Sequence, residues 1–174
     1  PASGGEHLIG HSLDMMSLAD GRPHDLHGRQ VGIGTILASE LYRRVLEMDS
    51  PDWAGAPAGI DEAFWGPIAR EVRPEYEAKQ PRLRAAREKL SEGAAWDDLR
   101  ADLATMTRPP GRTRDCLRAA GAAGRLEDIG CPRDRLLGAF RHAHEIRSRF
   151  TILDLANLVG LMPAAAGEIV EEWT

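Results

Sequence analysis

The sequence predicts an all-α fold, a helical bundle, and three observations carry the prediction. Apolar residues recur at helical spacing in nearly every segment long enough to form an element. No run alternates polar and apolar residues as a half-buried strand would. Helix-starting and helix-stopping residues bracket the periodic segments. The chain has 174 residues, 43% of them hydrophobic, and a formal net charge of −5. Those values describe an acidic globular chain large enough to bury one core, with residues 1–174 forming a single domain. No internal repeat or low-complexity segment divides it.

The elements follow in order. Ser3-x-x-Glu6 reads as a capping box that opens a first helix. Its Ile9, Leu13 and Met16 share one face, and its His7, His11 and Asp14 share another. A turn at 21–25 leads to a second helix over about 28–48, apolar on most sides in its first half and so suited to the centre of a bundle. Gly28, Gly32 and Gly34 weaken that helix. They imply close approach of a ligand or another backbone, or simply tight helix packing. Residues 49–59 form a Pro- and Gly-rich loop. Residues 61–90 read as solvated helical segments bent or interrupted at Pro67, Pro74 and Pro81. Trp96, Leu99, Leu103 and Met106 mark an amphipathic helix stopped by Pro109-Pro110, and a short helix covers 112–120. Pro132 stands in the first turn of a helix reaching about 146, Thr151-x-x-Asp154 caps one over 153–159, and Pro163 begins a last piece ending near Trp173.

The acidic balance argues against nucleic acid or an anionic membrane as main partner. No uncharged apolar run reaches membrane-spanning length, and the start has no signal-peptide pattern, so a cytoplasmic location is the expectation. Pro1 is not an initiator methionine, and the chain is expected to begin within a longer protein. Cys116 and Cys131 form no Cys-x-x-Cys pair and read as free thiols. Apolar surface on the terminal helices is compatible with a homo-oligomer.

Chemistry concentrates in the first forty residues. His7 and His11 lie four apart, so both imidazoles project from one side of a helix and can reach one ion. His27 follows His11 by sixteen residues, enough chain to turn back to the same point. A catalytic zinc site takes three protein ligands and keeps an open position, so spacing alone suggests His7, His11 and His27. Asp14 is either a carboxylate that orients one of the imidazoles or a solvated helix residue. His24 reads as an exposed turn residue, and His142 and His144, two apart on different sides of a helix, as structural or surface residues. Arg112, Arg114 and Arg118 form a basic helix face. There is no Gly-x-Ser-x-Gly elbow, Walker loop or dinucleotide fingerprint.

The run Pro-Ala-Ser-Gly-Gly-Glu-His-Leu-Ile-Gly-His-Ser-Leu-Asp-Met, followed by His-Gly-Arg-Gln-Val-Gly-Ile-Gly-Thr, resembles the glycerol-1-phosphate dehydrogenases. That family is part of the dehydroquinate synthase and iron-containing alcohol dehydrogenase superfamily. Arg149-Phe150-Thr151-Ile152-Leu153-Asp154-Leu155 looks like the family's closing motif. The resemblance implies the C-terminal all-helical domain of a two-domain enzyme whose N-terminal nucleotide-binding domain, a partner in the active site, is absent from this chain. It implies His7 and His27 as metal ligands, His11 as the active-site residue that handles a proton or contacts substrate, and a third ligand from the other domain. This corrects the assignment from spacing, in which His11 is a ligand.

The implied reaction is NAD(P)H-dependent reduction of dihydroxyacetone phosphate to sn-glycerol 1-phosphate. A divalent ion, zinc or else nickel or iron, would hold the ketone oxygen. The substrate is thus a small phosphorylated or polyol compound, and the 174 residues alone are expected to be inactive and to bind metal weakly. Arg29 stands where many relatives would carry an acidic residue. Other readings are a glycerol dehydrogenase or dehydroquinate synthase-like cyclase of the same superfamily, a His-Asp-type metal phosphohydrolase using His24-Asp25, and a non-catalytic stand-alone helical module.

Overall fold

The computed structural model describes residues 4–174, and every regular element among them is helical. The elements are α1 (Gly5–Asp20), α2 (His27–Leu46), α3 (Glu62–Trp65), α4 (Ala69–Leu90), α5 (Ala95–Met106), α6 (Pro110–Ala119), α7 (Arg133–His142), α8 (Ile152–Leu158) and α9 (Ala166–Trp173). Short 3-10 turns at Gly66–Ile68, Leu126–Ile129 and Ala143–Glu145 complete the set. The all-α prediction therefore holds, and none of these helices is long and apolar enough to cross a membrane.

The centre is the pair α1 and α2. Leu8, Ile9 and Leu13 of α1 and Ile33, Leu37 and Leu41 of α2 are fully buried, in one cluster with Phe140 of α7, Leu153 of α8 and Ile169 of α9. Burial of each such side chain contributes on the order of 1.5–3 kcal/mol. The close approach anticipated for the glycines is real at Gly34, where a Cβ would stand 2.5 Å from the carbonyl oxygen of Glu6. At Gly28 there is nothing within 4 Å, so that glycine serves no packing purpose.

Helix α1 starts one residue later than Ser3-x-x-Glu6 suggests. Gly4 is its N-cap, and the Glu6 carboxylate accepts from the Gly4 N–H at 2.8 Å; Ser3 lies outside the described residues. At the other end Gly21 takes the left-handed conformation, φ 70°, and its N–H closes on the Ser17 carbonyl.

The expected breaks at Pro74 and Pro81 do not occur, since α4 runs through both. Each proline removes one backbone hydrogen bond, but burial of Val72, Tyr76, Lys79 and Leu83 along one side holds the helix to the core. Only Pro67 interrupts, within the 3-10 turn that separates α3 from α4. Nor is this stretch simply solvated. Lys79 is fully buried, donating to Asp154 Oδ1 at 2.8 Å and to the His144 carbonyl. Asp154 in turn closes the predicted capping box of α8, accepting from the Thr151 N–H at 2.8 Å.

Boundaries moved elsewhere for local reasons. Pro110 opens α6 at its first turn, where a missing N–H costs nothing. The helix from Arg133 gives way to 3-10 geometry after His142. Pro163 precedes α9 by three residues and does not start it. The C-terminal helix is lashed to α2 by charge: Arg44 bonds the buried Glu40 at 2.6 Å and reaches Glu168 at 2.9 Å and Glu172 at 3.1 Å.

Candidate metal centre

The hairpin α1–turn–α2 brings His7, His11 and His27 together as their spacing predicts. The rings of His11 and His27 stack with centroids 4.5 Å apart. His7 lies 5.8 Å from His27 and 6.3 Å from His11. Gly10 makes room for this arrangement, because a Cβ there would stand 3.2 Å from His27 Cε1. All three imidazoles are partly open to solvent, with side-chain exposures of 31–37%.

The carboxylates around the rings differ in what they do. Asp14 Oδ2 accepts from His27 Nδ1 at 2.7 Å. A carboxylate only accepts, so Nδ1 carries the proton and the Nε2 lone pair of a neutral ring is left free. Of the two readings of Asp14, the orienting one is the geometry found. Glu6 Oε1 stands in the same relation to His7 Nδ1, at 3.0 Å. Hydrogen bonds from Gly4 and His7 hold the Glu6 carboxyl below its ordinary range against the opposing effect of burial. Among the described residues His11 has no such partner: its Nδ1 is 3.8 Å from Asp14 Oδ2, beyond hydrogen-bond reach. Burial first, then the neighbouring His27 and Arg147, lower its proton affinity below the usual imidazole value.

Two residues of this arrangement escaped sequence reasoning. Gln30, buried in α2, donates from Nε2 to Asp14 Oδ1 at 2.5 Å and fixes the carboxylate from behind. The signal was a polar side chain three residues after His27 on a mostly apolar helix. Glu6 read only as a cap residue, yet it also holds His7.

Other predicted candidates stand apart. His24 is exposed, as expected, with Nδ1 donating to the Asp25 carbonyl at 2.8 Å and lying 3.4 Å from Asp14 Oδ1. The Asp25 carboxylate is engaged by Arg29 at 2.6 Å and by the Leu26 N–H at 2.8 Å, so the His24-Asp25 pair is not arranged as a metal-binding dyad. The same bond, with a second from Arg29 to the Asp128 carbonyl, turns the Arg29 charge toward Asp25. Arg114 packs over the Trp173 ring at 4.9 Å. Both cysteines are free thiols, and burial pushes that of Cys131 up to about 11.

Among the described residues, one set of donor atoms lies within 4.8 Å of one another, those of His11, Asp14 and His27. Two imidazoles and a carboxylate suit zinc, nickel or iron. His7 lies beside this set and outside it.

Comparison with known proteins points to one family. The chain is 31% identical over 157 residues to the protein named glycerol-1-phosphate dehydrogenase [NAD(P)+] of Bacillus subtilis, a match covering 90% of this chain and 30% of that protein. Proteins of the same name from Bacillus licheniformis and Geobacillus stearothermophilus are 25% and 29% identical, over 97% and 90% of this chain. The chain is a homologue of the glycerol-1-phosphate dehydrogenases. It spans about a third of the length of these relatives, 32% and 33% in the latter two. No family model and no solved structure matches. The glycerol-1-phosphate dehydrogenase resemblance read from the histidine run and the closing motif thus agrees with whole-sequence similarity.

Proposed function

We propose that this chain supplies the helical half of the active site of a metal-dependent, NAD(P)H-linked oxidoreductase that reduces dihydroxyacetone phosphate to sn-glycerol 1-phosphate. The observation that carries the reading is the division of labour among the imidazoles. His7 and His27 each have Nδ1 held by a carboxylate, at 3.0 Å and 2.7 Å, which leaves Nε2 to face an ion. His11 is uncommitted and is the ring whose neutral form the surroundings favour.

In this reading His7 and His27 hold a divalent ion, which when bound supplies Lewis-acid polarisation of the carbonyl. The remaining ligand and the nicotinamide nucleotide come from residues outside these 174. The chain's own contribution is then positioning and proton supply. Asp14, clamped by Gln30, sets the plane of the His27 ring; Glu6 sets that of His7. His11, stacked on His27, takes up a proton from solvent and passes it to the substrate oxygen as hydride reaches the carbonyl carbon, so ketone, NAD(P)H and one proton become alcohol and NAD(P)+. Its lowered proton affinity favours release, since the imidazole returns to its stable neutral form. A cytoplasmic setting suits the nucleotide and the phosphorylated substrate.

The compact set His11, Asp14 and His27 supports a second reading, in which those three hold the ion and His7 lies beside it. Alanine substitutions in the protein as its gene encodes it separate the two. Metal content is measured by mass spectrometry, and dihydroxyacetone-phosphate-dependent oxidation of NAD(P)H by absorbance. The first reading expects His7→Ala and His27→Ala to lose metal, and His11→Ala to keep it while turnover falls by about 10²–10⁴. Loss of metal from His11→Ala with retention in His7→Ala selects the second. No turnover of this substrate by the unsubstituted, metal-loaded protein refutes the proposed activity.

A further inference from the structure

A second polar site shares no residue with the histidine hairpin, although its 3-10 turn Ala143–Glu145 packs against α1. A cavity of about 890 Å³ opens between the loop before α3, the end of α7 with its 3-10 turn, and the segment joining α8 to α9. Its wall is rigidly braced by Glu145, a buried carboxylate that accepts from Trp65 Nε1 at 2.6 Å, His142 Nδ1 at 2.9 Å and the Asp61 N–H at 3.2 Å. His142 is further fixed by stacking on Phe64, with centroids 4.2 Å apart.

Two largely buried residues that line this cavity carry polar atoms that no described residue bonds. His144 is 4% exposed. Its ring meets Tyr76 edge-on at 5.5 Å, and its Nε2 is 3.8 Å from Glu145 Oε1, too far for a hydrogen bond. Neither ring nitrogen is bonded by any described residue. Asn157 is 6% exposed, and its Nδ2 donates to the Leu153 carbonyl at 2.8 Å while Oδ1 receives nothing from the described residues. Neither residue has an atom sealed off without a partner; the unbonded atoms are open to the cavity, where an entering molecule can bond them.

The geometry points to an uncharged polyhydroxyl compound, a polyol or sugar, as the occupant of this cavity. The inventory of groups sets the class. A neutral imidazole offers one donor and one acceptor, and Asn157 Oδ1 a further acceptor, which together match vicinal hydroxyls. Ile60, Pro163 and Ala164 supply apolar wall for a carbon skeleton. Charge works against a phosphate. Asp61, Glu62 and Glu145 outnumber Arg141 around the opening, and His144 is no counter-ion, because burial, with Lys79 and His142 nearby, keeps it neutral. A volume of this size admits a monosaccharide with room to spare.

The test is NMR of the protein as its gene encodes it, with histidine labelled in the ring nitrogens. Glycerol, glucose and inorganic phosphate are titrated separately. Expected is a saturable shift of the His144 ring signals with glycerol or glucose and none with phosphate. Asn157→Leu should weaken that binding by about tenfold, the loss of one hydrogen bond and the space for it. Because Asn157 is buried and its loss can disturb α8, a second variant acts from the rim. Gly59 lines the cavity and has nothing within 4 Å of where its Cβ would stand, so Gly59→Phe adds a bulky side chain at the rim without touching the core, and should abolish the shift. Unmoved His144 signals with both polyhydroxyl probes, a response to phosphate alone, or polyol binding retained in Gly59→Phe would each overturn the inference.

Discussion

Gly34→Ala and Gly28→Ala place the same methyl group on the same helix with opposite expected results. By intrinsic propensity each replacement favours α2 by up to about 1 kcal/mol, less at Gly28 because it lies in the first turn. At Gly34 the new Cβ would meet the Glu6 carbonyl oxygen at 2.5 Å, its carbonyl carbon at 3.2 Å and its Cα at 3.3 Å. These are backbone atoms of a neighbouring helix with no rotamer to change, so α1 must move as a body. Overpacking of this kind costs about 1–3 kcal/mol, and the net expectation for Gly34→Ala is destabilisation of about 1–2 kcal/mol. At Gly28 nothing lies within 4 Å, and the substitution should be neutral or slightly stabilising. Urea unfolding with a shared slope reads the difference directly. In heat, with about 2–4 °C per kcal/mol for a chain of this size, the two midpoints should part by several degrees. The displaced residue is also the one that holds His7, so metal affinity should fall in Gly34→Ala alone. Equal stability of the two variants would refute the claim that α1 and α2 meet backbone to backbone.

Asp14→Asn removes the charged acceptor from His27 Nδ1 and should lower metal affinity about 10–100-fold in a chelator competition, with the fold intact by circular dichroism. Lys79→Met leaves Asp154 buried without its cation; loss of one partner of such a pair costs about 3–5 kcal/mol. The double variant with Asp154→Leu should recover part of that loss, measured by denaturant unfolding. His144, pushed down to about 3 by burial, is neutral when folded and binds a proton readily when unfolded. Its contribution to stability is therefore full above about pH 6.5 and drains away as pH falls toward 3, at up to about 1.4 kcal/mol per pH unit. Unfolding of His144→Gln across that window should show a shallower decline.

What the sequence made legible was what local periodicity controls. The i, i+4 histidines, the return of His27 after a turn, and the Thr151-x-x-Asp154 box all depend on residues close in the chain, and all are found where expected. The role of Asp14 stayed open because a carboxylate at that helix position serves equally well in solvent. Its partner Gln30 settles the matter from sixteen residues away. Lys79 was read with a charged surface, because nothing in 61–90 announces that one lysine turns inward to an aspartate seventy-five residues on. His142 and His144, read as facing different sides of a helix, instead line one cavity and both approach Glu145 Oε1, at 2.9 Å and 3.8 Å, because the chain passes into a 3-10 turn after His142. That one stacks on Phe64 of α3 while the other lies edge-on to Tyr76 of α4 depends on contacts between residues far apart in the chain.

The closing motif Thr151-Ile152-Leu153-Asp154 takes on a different meaning beside the Lys79 ion pair. Its aspartate ties off the start of α8 and anchors α4 through a buried cation, and its leucine and isoleucine fill the core. The motif is therefore a keel of the architecture. A chain that kept the keel after losing the histidines would still be expected to fold as a kinsman, and under the proposed function it would hold no metal, so sorting relatives by the proposed chemistry would turn on the histidines of α1 and α2.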